Sequence, residues 1–119
     1  MTELAQQKCE ACTPNSPAVT LAEIEYLKTQ IPGWQVIEKE GELRLEKLYQ
    51  FPDFQQAIAF TNAVGDAAEA AGHHPALLTE WGKVTVSWWT HAIGGLHQND
   101  FIMAAKTDVI RAEIGRAHV

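Results

Sequence analysis

The chain has 119 residues, formal net charge −6 and 46 % hydrophobic residues, so one hydrophobic core can form and one domain is expected. The acidic balance, with no Lys/Arg cluster, argues against a phosphate-backbone partner, and nucleic acid is excluded as a main ligand. Apolar runs fall well short of the roughly 18 residues that suggest a membrane span, and residues 1–7 lack a signal-peptide core; no membrane association is expected, and a cytoplasmic location is the default.

Residues 1–18, ending in Pro14-Asn15-Ser16-Pro17, read as an extended leader before a single domain spanning 19–119. Cys9 and Cys12 form the only Cys-x-x-Cys; with no βαβ pattern around it and no second ligand pair, two reduced thiols in a mobile arm are expected. Thr20-Leu21-Ala22-Glu23 is a capping-box pattern opening a helix with Leu21, Ile24, Leu27 and Ile31 on one side, stopped by Pro32-Gly33. Trp34, Val36, Leu43 and Leu45 alternate with polar residues around Glu40-Gly41, which predicts a hairpin whose second strand runs to about Phe51.

Asp53, with Gln56 three residues on, opens a second helix with Phe54, Ala57, Ile58, Thr61, Val64 and Ala68 as its buried stripe and Gly72 as its C-terminal cap. Glu69 sits in the last turn, where a carboxylate opposes the helix dipole. A second hairpin, Leu77 to Glu80 and Lys83 to Thr90, turns at Trp81-Gly82. Val84, Val86 and Trp88 share the core parity; Thr85, Ser87, Trp89 and His91 point the other way. A last helix starts near Asn99, with Phe101, Ala105, Val109 and Ala112 as its apolar line. The order α-β-β-α-β-β-α implies an α+β fold, a four-stranded antiparallel sheet with three helices on one face. A small sheet with Trp89 on its outer face implies a homo-oligomer.

Three of the five histidines, His73, His74 and His91, fall within nineteen residues; Glu69 lies four residues before the cluster and Asp100 nine after it. Histidine exchanges a proton near neutral pH, so this cluster, flanked by carboxylates and lacking a nucleophile motif, points to general acid–base chemistry. Pro75 forces His74 into an extended conformation. In a regular strand, adjacent histidines would point to opposite sides, so either the pair sits in a turn or one binds while the other catalyses. Zinc ligation is disfavoured, since adjacent histidines chelate poorly and no H-x-x-x-H spacing exists. His97 and His118 are expected at the surface.

Glu69-Ala-Ala-Gly-His73-His74-Pro75, Val84-Thr-Val86, Thr90-His91, Gly95-Leu96, Asp100 and Ala104-Ala105, with Gly33-Trp34 and Asp53-Phe54 upstream, closely resemble the pterin-4a-carbinolamine dehydratase family over about residues 20–114. The resemblance implies loss of water from a 4a-hydroxytetrahydropterin to give the quinonoid dihydropterin, recycling the cofactor of an aromatic amino-acid hydroxylase, phenylalanine hydroxylase foremost. It implies no metal, cofactor or covalent intermediate, and assembly as a homodimer or homotetramer. His73 and His91 are the expected acid/base pair, with His74 binding the pterin and sharing the proton traffic. Glu69, Pro75, Thr90 and Asp100 are the expected substrate-binding or histidine-orienting residues. Gly72 and Trp89 depart from the residues common at those places in the family. Some animal relatives also bind a homeodomain transcription factor, so the alternative is an interaction module with a vestigial pterin site.

Overall fold

The computed structural model describes residues 4–7, 9 and 17–117, in the order Leu4–Gln6 (a 3-10 turn), α1 (Leu21–Lys28), β1 (Gln35–Lys39), β2 (Glu42–Gln50), α2 (Phe54–Ala71), β3 (Ala76–Glu80), β4 (Lys83–Trp88), a second 3-10 turn (His91–Ile93) and α3 (Gln98–Ala117). The four strands form one antiparallel sheet in the order β1-β2-β4-β3, so the fold is α+β as the element order predicts. Cys12 and His118 lie outside the described residues.

Local signals set the element ends. The Thr20 hydroxyl accepts the Glu23 N–H and the Glu23 carboxylate accepts the Thr20 N–H, the reciprocal arrangement that satisfies two otherwise orphaned donors. The β1–β2 hairpin closes through Glu40 and Gly41, both at positive φ (54° and 78°), as a two-residue turn matching the strand twist demands. Asp53 Oδ1 accepts the Gln56 N–H at 2.8 Å and starts α2.

One sheet face carries the core. Leu45 and Tyr49 of β2 share their side with Val84, Val86 and Trp88 of β4, and α2 and α3 cover them with Ala57, Phe60, Val64, Ala68, Phe101 and Ala104. Ile24, Leu27, Ile31 and Trp34 close one end, and Leu4 is buried in the same core. Cys9 is half-buried against that core, not in a mobile arm; its thiol lies 4.0 Å from the Asn99 carbonyl oxygen.

Three expected apolar stripes shift. Leu21, at the first position of α1, is exposed. In α2, Phe54 (46 % exposed) and Ile58 face outward, and Phe60 takes the central buried place. In α3, Val109 and Ala112 are exposed, whereas Thr107 and the half-buried Asp108 turn toward the sheet. Those polar residues lie on the inner side because the core offers them partners: the Trp88 indole donates to Thr107 Oγ1 at 3.1 Å, and Thr107 donates to the Met103 carbonyl.

Asp108 accepts from three side chains, Trp34 Nε1 (3.2 Å), Lys47 Nζ (2.8 Å) and the Tyr49 hydroxyl. Burial, with the Asp108 carboxylate beside it, pushes the Tyr49 phenol well above its ordinary range. The fold therefore holds the protonated phenol. Its contribution is complete below the unfolded phenol value of about 10 and declines as pH rises beyond it. Asp108→Ala leaves the indole N–H and the phenol without their acceptor, so a loss of roughly 1–3 kcal/mol is expected in urea unfolding at neutral pH.

Candidate functional site

The site begins at the end of α2. Gly72 adopts the left-handed conformation (φ 65°, ψ 29°); its N–H donates to the Glu69 carbonyl at 3.2 Å and the His73 N–H to the Ala68 carbonyl at 3.1 Å. This Schellman closure satisfies two end carbonyls and fixes the backbone direction of His73. A Cβ at Gly72 would meet nothing within 4 Å, so Gly72→Ala tests backbone conformation alone. It should cost about 1–2 kcal/mol, seen as a lower urea midpoint at unchanged m-value.

His73 and His74 stand in the non-strand segment between α2 and β3 and take different environments. The buried His73 ring shares its Nε2 with Asp100 Oδ1 at 2.6 Å and lies parallel to the Trp88 ring, 5.8 Å between centroids and 5° between planes. His74 stays exposed and pairs through Nε2 with Glu69 Oε1 at 2.7 Å, back across the helix end.

Strand β4 ends at Trp88, two residues earlier than expected. Thr90 then forms an isolated bridge with Gly95, its N–H donating to the Gly95 carbonyl at 2.8 Å. Between them His91–Ile93 make a 3-10 turn closed by left-handed Gly94, and His91 is exposed on that turn rather than on a strand. Thr90 itself is buried, and its hydroxyl donates to Asp100 Oδ2 at 2.8 Å.

Asp100 ties these pieces together. It is 0 % exposed, and its two oxygens engage His73, Thr90 and the His97 N–H, the last at 2.9 Å. His97 is buried rather than at the surface: its Nδ1 accepts the Asn99 N–H at 3.0 Å, so its ring caps the start of α3. Sequence reasoning missed this role because histidine is an uncommon cap. The signal available was its place three residues before an acidic residue, at a helix start.

A cavity of about 250 Å³ opens beside Gly72, His73, His74, Trp89, Thr90 and His91. The three histidines singled out from sequence therefore share one cavity, with Thr90 on its wall, Glu69 reaching it through His74 and Asp100 behind His73. Pro75 follows His74 and leads into β3, and is not among the residues that line the cavity. Among the described residues, no three His, Cys, Asp or Glu side chains converge as metal ligands, and no helix is long and apolar enough to cross a membrane.

The site is thus a histidine-lined cavity whose inner histidine is held by a buried carboxylate. The family model for pterin 4 alpha carbinolamine dehydratase matches residues 17–110, and the chain belongs to that family. It is 68 % identical over 110 residues (92 % of this chain, 95 % of the relative) to a protein of Microcystis aeruginosa named "Putative pterin-4-alpha-carbinolamine dehydratase". It is 62 % identical over 112 residues (94 % and 97 %) to "Putative pterin-4-alpha-carbinolamine dehydratase 1" of Gloeobacter violaceus. Among solved structures, a transcriptional coactivator/pterin dehydratase from Brucella melitensis superposes with TM-score 0.73 at 28 % identity, covering 79 % of this chain and 98 % of that one. A pterin dehydratase-like protein described as a RuBisCO assembly factor in the alpha-carboxysome shares the fold, with TM-score 0.56 at 22 % identity over 66 % of this chain and 88 % of that one.

Proposed function

We propose that the protein is a dehydratase acting on a 4a-hydroxytetrahydropterin, by histidine general acid–base catalysis without a metal or cofactor. The observation that carries this reading is the Asp100–His73 couple at the back of a cavity that His91 and His74 also line. Hydroxide is a poor leaving group and water a good one, so an acid must protonate the 4a-hydroxyl as the C4a–O bond breaks. The N5 proton must depart as the C4a–N5 double bond forms, which needs a base on the same ring. One imidazolium and one neutral imidazole meet both needs, and water is the only by-product.

His73 and His91 form that pair in this reading. Asp100 holds His73 Nε2, which leaves Nδ1 for the substrate; this is the orienting role a buried carboxylate performs for a catalytic imidazole. With both oxygens engaged and no exposure, Asp100 acts on His73 and not on the pterin directly. Exposed His74 and its partner Glu69 lie at the rim, where a carboxylate suits the donor-rich edge of an aminopyrimidinone. The product, once reduced by two electrons to the tetrahydropterin in a separate reaction, would serve again in a pterin-dependent aromatic amino-acid hydroxylase, phenylalanine hydroxylase being the one the family implies.

The test is the decay of freshly generated 4a-hydroxytetrahydropterin, followed by ultraviolet absorbance with and without the protein. Acceleration proportional to protein concentration is expected; an unchanged decay rate with folded protein would refute the dehydratase reading and leave an interaction role.

A homo-oligomer goes with this reading. On the outer sheet face Leu48, Thr85 and Leu78 lie in one register row across β2, β4 and β3, and both leucines are exposed. Sedimentation at micromolar concentration should give a dimer or tetramer; a monomer would overturn this expectation.

A further inference from the structure

Trp89 stands where β4 leaves the sheet, immediately before Thr90 and His91, and it lines the same cavity as the histidines. The Arg44 guanidinium covers its ring at 3.8 Å from the centroid. Arg44 lies on β2, one step beyond the last paired residues Leu45 and Trp88, so the stack continues the ladder by side chains where backbone pairing has stopped. Arg44 is buried and held by Glu42 of its own strand at 3.4 Å and by Glu40 of the β1–β2 turn at 3.8 Å. The Glu42 carboxylate also lies against the His91 turn, since a Cβ on Gly94 would come within 3.7 Å of its second oxygen.

Two further facts set this pair apart. Among the described residues, Arg44 Nε and Trp89 Nε1 are the buried side-chain nitrogens that lack a hydrogen-bond partner. Burying unsatisfied donors is unfavourable, so each such group calls for a compensating role. The stack therefore does not owe its place to hydrogen bonding through those two N–H groups: a flat ring is fixed by a cation on one face and forms part of the cavity wall. A fixed indole favours the planar acylguanidine portion of the pterin, C4a being tetrahedral in the substrate, because the indole has lost its own side-chain freedom before the ligand arrives.

We propose that Trp89 is a substrate-recognition residue of this site, a stacking wall for the pterin ring, and that Arg44 is a positioning residue that acts through it. The proposal rests on the dehydratase reading above and adds how the ring is recognised, apart from the histidines that move protons. It predicts that ring affinity and proton transfer separate by mutation.

The experiment measures kcat and KM for Trp89→Ala, Trp89→Phe, Arg44→Met and the Arg44→Met/Trp89→Ala double variant, with 7,8-dihydropterin as a stable probe in equilibrium titration. Trp89→Ala should raise KM and the probe Kd roughly tenfold or more while kcat stays within about threefold, since stacking on an aromatic wall is lost and the proton-transfer groups remain. Trp89→Phe should restore most of the affinity. Arg44→Met should weaken binding about threefold or more in the wild-type background and have no further effect on Trp89→Ala. Unchanged KM and probe affinity in Trp89→Ala would overturn the proposal, as would a fall in kcat at constant KM or an Arg44→Met effect of equal size in both backgrounds. If wild-type protein neither binds the probe nor accelerates the decay, the dehydratase reading itself falls; binding by wild type with no effect of Trp89→Ala removes only the stacking wall.

Discussion

His73→Ala should reduce kcat at least tenfold, and His91→Ala should do the same, but their stabilities should differ. Positioned general acid and base groups each contribute about 10²–10⁴ in rate. His73 is buried, stacked on Trp88 and bonded to Asp100, so its loss strands one oxygen of a fully buried carboxylate and should also cost roughly 1–3 kcal/mol. His91 is exposed on its 3-10 turn and should lose activity with thermal stability near wild type. Single-turnover decay of the 4a-hydroxytetrahydropterin, beside a thermal melt of each variant, separates the two; full activity in both variants would remove the histidine pair from the mechanism.

Asp100→Ala is expected to be the most destabilising single change near the site. It deletes the acceptor for His73, the Thr90 hydroxyl and the His97 N–H at once. Removing one member of a buried, fully bonded polar set costs about 3–5 kcal/mol, or roughly 10–20 °C in Tm for a domain of this size. Asp100→Asn is the sharper probe. Its amide oxygen can still accept from Thr90 and His97, so the fold should largely survive. Its NH2 group would then face His73 Nε2, which must become an acceptor, and the imidazole is driven to the opposite tautomer. Near-normal unfolding with kcat lowered on the order of 10² is the expected pairing. An Asn variant with wild-type kcat would show that His73 needs no fixed tautomer.

What was legible in the sequence was what short-range chemistry determines. The Thr20–Glu23 box, the Asp53 cap, the Gly72 closure and the Glu40-Gly41 turn all act within three to five residues, and each stands where its signal lies. The strand parity of Val84, Val86 and Trp88 was equally plain, because alternation leaves no second choice of face. The misplaced features depend on partners far along the chain. Asp108 faces the sheet because Trp34, Lys47 and Tyr49 await it about 60 to 74 positions away, which no helical periodicity reveals. His97 is buried because Asp100 and Asn99 fold its backbone and ring into the start of α3, and histidine is read by default as a surface residue. At the site, the grouping of His73, His74 and His91 was visible as a motif. The division of labour was not: only the fold shows one histidine buried on a carboxylate and another paired at the rim.

The three-way grip of Asp100 ties the setting of His73 to the completion of the fold. The carboxylate sits in the first turn of α3, His73 follows α2 and Thr90 follows β4, so these segments meet at a single buried group. A partly folded chain, with α3 undocked, would leave His73 without the carboxylate that holds it. The N–H groups of His73 and Thr90, each bonded to a backbone carbonyl, should then exchange with solvent at the rate of the core rather than of a loop.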